Sequence, residues 1–419
     1  MGNNTTFKPS PLGPIPSDWE VRKFQDFAKF FSGGTPLTSI PEYYFGEIPF
    51  IKSGEIYFDK TEQFISEEGL KNSSAKLVVK GDLLYALYGA NSGEVAISQI
   101  NGAINQAILC IRHNSNCNTL FIYNFLLSQK ESIIRNYLQG GQGNLSAEIV
   151  KSLPIPLPPL PEQRAIATCL STWDNAITKV QAILAQKELR KKWLMQQLLT
   201  GKKRLKGFDE EWKEIKLGDY IEICSSKRVL EEDWKPSGVP FYRTREIICL
   251  SNNEEFRSPI FITENLFAEL MKKNGVPKAG DILVTGVGTI GETYIVKPHD
   301  KFYFKDGNVL WFKMNKSINS SYLQHQFKTH FIRKQLSDNA SITTVATYTI
   351  EGAKSTKVML PSIHEQTAIA HVLQAADKEI QLLKAKVDRL KEEKKGLMQV
   401  LLTGKKRLNI NIEIYENNK

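Results

Sequence analysis

Apolar residues recur at alternating spacings of about four and three along two long stretches of the chain. The first stretch holds Ile166, Leu170, Trp173, Ile177, Val180, Leu184, Leu194 and Leu198; the second holds Ile369, Leu373, Ala376, Ile380, Leu383, Val387, Leu390, Leu397 and Leu401. This is the a/d seam of a helix that buries one narrow face against another helix. Lys187 and Lys191 interrupt the first seam, and Lys394 the second. Pro161 suits a first helical turn, Ser362 with Glu365 has capping-box spacing, and Gly201 and Gly404 stand where a C′ glycine would end each helix. The basic residues that follow suit the negative end of the helix. About 39 helical residues span roughly 58 Å, too long for burial on all sides of one small domain. Each seam therefore needs a partner, and the other seam of the same chain is the economical one, giving a two-stranded coiled coil.

The two helices are copies. Shifted by 397 − 194 = 203 positions, Glu162–Leu205 aligns without a gap on Glu365–Leu408, and 22 of these 44 positions are identical. The match opens on "EQRAIA" against "EQTAIA" and closes on "LMQQLLTGKKRL" against "LMQVLLTGKKRL". Fainter likenesses precede each helix: "GEIPFIKSGEI" (Gly46–Ile56) with "GVPFYRTREI" (Gly238–Ile247), and "GDLLYALYGANSGEVAI" (Gly81–Ile97) with "GDILVTGVGTIGETYIV" (Gly280–Val296). A whole half is thus duplicated. Short apolar and β-branched runs broken by Gly, Pro and Asn predict small strand-rich domains of α+β or α/β type. The expected organisation is a first domain over 1–157, a helix over 158–205, a second domain over 206–360, a helix over 361–408 and a tail over 409–419. The proline-dense "LPIPLPPLP" (Leu153–Pro161) reads as a stiff hinge, and "GNNTTF" at the start as a frayed terminus. Helices nearly copied and domains largely rewritten imply one structural job done twice and two similar jobs done on different targets.

Catalytic signatures do not emerge from this pattern. "GVGTIG" (Gly286–Gly291), with Asp306 about twenty residues beyond its first glycine, fits a dinucleotide fingerprint, but "ETYIV" after it reads as a strand, so a tight hairpin is expected instead. "TGKK" lacks the earlier glycine of a P-loop, and neither an amino-methylation motif nor a deaminase motif occurs. Five cysteines without CxxC spacing and six unclustered histidines give no metal site and no disulfide framework.

Composition then points to a partner. The chain carries 55 Lys and Arg against 45 Asp and Glu, a formal charge of +10, which favours a polyanion, nucleic acid first. No apolar run spans a bilayer and no secretory signal opens the chain, so a cytoplasmic protein without a membrane partner is expected. The domains mix basic, amide and aromatic residues: Lys52, Tyr88, Asn91, Asn105 and Gln106 in the first, and Lys227, Arg228, Tyr242, Arg243 and Arg245 in the second. Arg and Lys can read guanine and Asn and Gln adenine, while lysines hold phosphates.

Two such domains, each followed by a long helix carrying "PLPPLPEQRAIA" or "LLTGKKRL", resemble the specificity subunit of type I restriction-modification enzymes. "SGGTPLTSIPEYYFGEIPFIKSGEI" (Ser32–Ile56) resembles the start of a target-recognition domain, which adds Gly33, Gly34 and Thr35 to the candidates, and "SSKR" resembles it in the second half. The second copy departs from the proline-rich helix entry with "PSIHEQ". The resemblance implies an antiparallel helix pair with pseudo-twofold symmetry and two domains that each read one half of an asymmetric, bipartite double-stranded DNA target. It also implies a non-catalytic role beside two methyltransferase subunits and restriction motor-nuclease subunits, which would hold AdoMet, ATP and Mg. A stand-alone coiled-coil DNA-binding or scaffold protein is the alternative.

Overall fold

The computed structural model describes residues 6–137, 144–252, 254–339 and 347–408. The tail expected over 409–419 lies outside them, as do residues 1–5 of the expected frayed terminus; Phe7 and Lys8 already pair with Pro16 and Ile15. Contacts divide the chain into two units, one of Met1–Gln181 with Ala385–Lys419 and one of Ala182–Lys384.

In unit 1 the strands are β1 (Glu20–Lys23), β2 (Ala28–Ser32), β3 (Ile48–Ile51), β4 (Phe64–Ile65), β5 (Lys76–Val78), β6 (Leu83–Ala86), β7 (Val95–Ile97), β8 (Gly102–Ile104), β9 (Ile108–His113) and β10 (Pro154–Leu157). Apolar runs such as Leu83–Ala86, buried at every position, make central strands. One sheet has the order β2-β9-β6-β7 and a second β4-β3-β8-β5, with β3 and β8 parallel. Helix α1 (Thr119–Tyr137) covers the first sheet with Phe121, Ile122, Phe125 and Leu126. The expected proline hinge is instead a strand: β10 pairs antiparallel with β1, Pro154 opposite Lys23, so the end of the domain is tied to its beginning. In a two-stranded pair Pro154 and Pro156 can sit where no donor is needed.

Unit 2 has a similar plan, with one strand fewer in its second sheet among the described residues. Its strands are β11 (Lys213–Lys216), β12 (Glu222–Cys224), β13 (Val239–Tyr242), β14 (Ile260–Ile262), β15 (Ile282–Thr285), β16 (Thr293–Ile295), β17 (Tyr303–Phe304), β18 (Val309–Lys313) and β19 (Lys357–Leu360). The sheets run β12-β18-β15-β16 and β14-β13-β17, with β13 and β17 parallel, and β11 pairs with β19. "GVGTIG" is the expected hairpin turn, between antiparallel β15 and β16. Its helices include α3 (Thr244–Asn252), α4 (Ser320–Gln326) and α5 (His330–Asn339).

The two long helices are α2 (Leu160–Leu198) and α6 (Ile363–Leu401), each of 39 residues. Each starts in one unit and ends in the other. The seam positions are buried or half-buried as their spacing predicts; Ile166, Leu170, Ile369 and Leu373 enter the unit cores, whereas Leu184, Ile380, Leu383 and Leu390 are half-buried.

Ion pairs set the antiparallel register within each unit. In unit 1, Glu162 at the start of α2 is 2% exposed and accepts from Arg407, just past the end of α6, at 2.7 Å, and from the indole of Trp19 at 3.0 Å. In unit 2, Glu365 at the start of α6 is 0% exposed and accepts from Arg204 at 2.6 and 2.7 Å and from Trp212 at 3.1 Å. Glu365 therefore spends its carboxylate on a charge lock rather than on the capping box expected with Ser362. The seam's lysines have a matching use: Lys394 donates to Asp174 at 2.7 Å, and Lys191 to Asp377. Behind each glutamate, Gln163 and Gln366 accept from the backbone N–H groups of Asn118 and Asn319, both at 2.9 Å, and fix the helix start to its domain. Gly201 and Gly404 turn the chain after each helix at φ 70° and 69°, and a Cβ on Gly404 would lie 2.4 Å from Pro16.

At one buried polar position the copies carry different residues. His325 of α4, 2% exposed, has Nε2 3.8 Å from the Asp377 carboxylate and a buried Nδ1 without a partner among the described residues. Burial pushes its pKa down to about 4, with Asp377 opposing and Lys191 adding to the shift. Six positions after the matching asparagine of unit 1, the place of His325 is taken by Asn124.

Removing Arg407 strands a buried carboxylate, so Arg407→Met should destabilise unit 1 by about 3–5 kcal/mol in chemical denaturation, and adding Glu162→Gln should recover part of the loss. His325 binds a proton less readily folded than unfolded, so its contribution is intact above pH 6.5 and is lost as pH falls toward about 4. Denaturation at pH 7 and pH 4.5 should therefore show a loss of about 2–3 kcal/mol that is missing in His325→Asn.

Candidate nucleic-acid interface

Strand register gathers the eight candidates of unit 1 at one edge. Parallel β3 and β8 end side by side, Ile51 opposite Ile104, so Lys52 leaves the sheet next to Asn105 and Gln106. β2 ends at Ser32, and the chain turns tightly over β8: a Cβ on Gly33 would stand 1.7 Å from the Ile104 carbonyl, and one on Gly34 would stand 2.6 Å from Ser74. Only glycine fits either place. The turn delivers Thr35, whose hydroxyl donates to Gln106 Oε1 at 2.7 Å, while Asn105 Oδ1 accepts from the Ala107 N–H at 3.1 Å. Both amide groups are therefore held through their oxygens and keep NH2 donors for another partner. Tyr88, 38% exposed, follows β6, where the Leu87 N–H donates to Ala107. Asn91 lies 3.5 Å from the place a Cβ on Gly54 would take.

A buttress fixes the loop that carries Tyr88 and Asn91. Glu94 accepts from Lys130 of α1 and from the Tyr57 hydroxyl. Burial works to raise the Glu94 pKa, but hydrogen bonds from Lys130 and Tyr57 outweigh it, and the carboxyl is held below its ordinary range. In unit 2 the same post is held by Glu292, which accepts from Arg333 of α5 at 2.7 Å.

The unit 2 edge repeats the geometry with other side chains. Parallel β13 and β17 end with Tyr242 opposite Phe304, and Lys305, which sequence reasoning missed, leaves beside Arg243, its N–H donating to Tyr242 at 2.8 Å. Lys227 and Arg228 are exposed; the hydroxyls of Ser225 and Ser226 anchor their segment to Val309 and Phe304, and the Lys227 N–H donates to the Tyr303 hydroxyl at 3.0 Å. Counted from Trp19 and Trp212, Thr35 corresponds to Arg228, and the strand ends match Lys52 to Arg243 and Asn105 to Lys305.

Three candidates of this edge are committed inside the fold. Tyr242 stacks on Phe302 at 4.7 Å between centroids. Arg243 and Arg245 both donate to buried Glu246, at 2.8 and 3.0 Å, and Arg243 also lies over the indole of Trp234. Glu246 is pushed up by burial but pulled further down by Arg243, so it stays ionised. Arg245 remains half-exposed, and Lys305 reaches over the other partner of this pair, its Nζ 5.6 Å from the Trp234 ring. Trp234 gave no sequence signal; Lys305 could have been found by carrying the duplication through to β8 and β17.

The comparisons with known proteins agree with this arrangement. A family model described as the type I restriction modification DNA specificity domain matches residues 16–187 and again 209–392. The specificity subunit of type I restriction enzyme MjaVIII from Methanocaldococcus jannaschii is 26% identical, over 95% of both chains. The MjaIX specificity subunit of the same organism is 27% identical over 60% of this chain and 63% of its own. A crystal structure of a type I restriction-modification S subunit from M. genitalium matches 96% of this chain and 97% of its own, with a TM-score of 0.58 at 17% identity. A chain from a structure on complex assembly and conformational transition of the type I R-M system matches 93% and 99%, with a TM-score of 0.60 at 16% identity. Two matched domains, two copied helices and the shared fold lead to one assignment: the chain belongs to the family of type I restriction-modification DNA specificity subunits.

Proposed function

We propose that the chain reads an asymmetric, bipartite double-stranded DNA target, one half at each edge, as a non-catalytic subunit. One observation carries this reading. Both edges are built by the same strand register, yet matched positions hold different chemistry: Thr35 against Arg228 and Asn105 against Lys305. A shared frame with altered side chains suits two readers of different sequences. Unit 1 offers amides, which pair with adenine; unit 2 offers cations, which pair with guanine or phosphate. The charge of +10 supports a polyanionic partner.

In this reading two methyltransferase subunits carry AdoMet and methylate adenine, and restriction subunits use ATP and Mg to translocate and cleave, in the cytoplasm. Leu189, Trp193 and Leu382 stand 68%, 47% and 63% exposed on the long helices and offer apolar ground for such protein partners. Among the described residues no helix is long and apolar enough to cross a membrane. Each uninterrupted helix of 39 residues, roughly 58 Å, exceeds one turn of DNA and can serve as the ruler between half-sites.

Methylome sequencing of cells carrying this chain with its methyltransferase should reveal one asymmetric bipartite motif; no such motif would sink the reading. Asn105→Ala should relax only the half read by unit 1 and Lys305→Ala only the half read by unit 2, each costing about 1–3 kcal/mol of discrimination. Four residues inserted after Ala185 should change the spacer length and leave both half-sites intact. Altered half-site bases in that variant would show that the helix is not the ruler.

A further inference from the structure

Unit 2 holds a groove of about 1230 Å³ between the second half of α2 and α5 that the reading residues do not line. Its walls carry Lys192 and Lys202 on the α2 side, and Lys328 and Lys334 on the α5 side. None of the four forms an ion pair among the described residues. Two further cations of the wall are already committed, Lys191 to Asp377 and Arg333 to Glu292. Of the two acids, Glu188 is taken by Lys384 at 3.0 Å, which leaves Asp338 to face four ammonium groups. Such crowding is unfavourable in the free protein and is relieved when a polyanion enters.

The groove joins the reading edge. Arg333 lies in its wall and donates to the Ile290 carbonyl at 2.9 Å, inside the 286–291 turn. A Cβ on Gly288 of that turn would lie 4.0 Å from Thr244, the residue between Arg243 and Arg245. A backbone leaving the edge past this turn would meet the four lysines next.

We infer that this groove holds the phosphates of the DNA flanking the half-site read by unit 2. The inference rests on the DNA-reading role proposed above and adds a non-specific contact to it. Lysine ammoniums on flexible stems suit phosphates as point charges, whereas lysine is depleted where proteins dock on each other. The α5 side of the feature is peculiar to unit 2: Lys192 and Lys202 recur as Lys395 and Lys405, but counted from the paired asparagines Asn118 and Asn319, the places of Lys328 and Lys334 are taken in unit 1 by Leu127 and Ile133.

The test uses the full chain assembled with its methyltransferase subunits and a duplex bearing the methylated motif with long flanks. Lys192→Gln, Lys202→Gln and Lys334→Gln together should lower the slope of log K against log salt by roughly 2–3, near 0.9 per phosphate lost, with the methylated motif unchanged. Trimming the flank on the unit 2 side should weaken the parent and leave the triple variant unaffected. The same charge removed at the exposed helix positions Lys386, Lys391 and Lys395 should leave the slope near its parental value. An unchanged slope in the groove variant overturns the inference, as does loss of methyltransferase copurification with DNA contacts intact, which would make the groove a protein-docking site. A parent with no bipartite motif would instead remove the reading beneath it.

Discussion

A buried carboxylate at the start of each long helix, met by an arginine just beyond the end of the other, is the constraint on which the rest depends. Glu162 takes Arg407 and Glu365 takes Arg204. A carboxylate withdrawn from water costs several kcal/mol unless a well-aligned cation and further donors meet it, and the indoles of Trp19 and Trp212 complete each site. Because each copy supplies the acid of one lock and the base of the other, neither can change alone. Lys394 with Asp174 and Lys191 with Asp377 follow the same exchange one layer further in. These pairs, more than the apolar seam, fix which turn of one helix lies against which turn of the other, since an a/d stripe tolerates register shifts that a buried charge does not.

The domains obey a different constraint. Their frame is backbone: a parallel strand pair ending in register, a tight crossing at Gly33 or Ser226, and a buttressing glutamate on the following hairpin. Side chains projecting from that frame are not bound by reciprocity, so Asn105 can stand where its counterpart is Lys305. Glu55 and Glu246 mark the boundary between frame and reader. Both accept the backbone N–H at the strand exit, from Lys52 and Arg243, yet only Glu246 also captures guanidinium groups.

Small departures between the copies fall where domain meets helix. His325 replaces Asn124 beside the lysine–aspartate pair, and Lys328 replaces Leu127 on the rim of the groove. Each adds a titratable or charged group to unit 2 that unit 1 lacks, so two halves of one topology differ in their response to pH and to polyanions.

Periodicity and repetition alone determined the two helices, the duplication, the strand-rich domains and the "GVGTIG" hairpin, because each is a local pattern that backbone geometry and one-sided burial turn into an element. Residue chemistry singled out Lys52, Tyr88, Asn91, Asn105 and Gln106 of one edge, and the family resemblance added Gly33, Gly34 and Thr35. What "KKR" touches, why lysines interrupt the seam, and that Pro154–Leu157 of the expected hinge form a strand were decided by tertiary structure. So was the fate of Tyr242, Arg243 and Arg245, drawn into contacts with Phe302 and Glu246, and the place of Lys305. The physical reason is the same in each case: an arginine or lysine reads alike in sequence whether it meets a buried acid, an indole or solvent, and only a partner brought close across the chain selects among them.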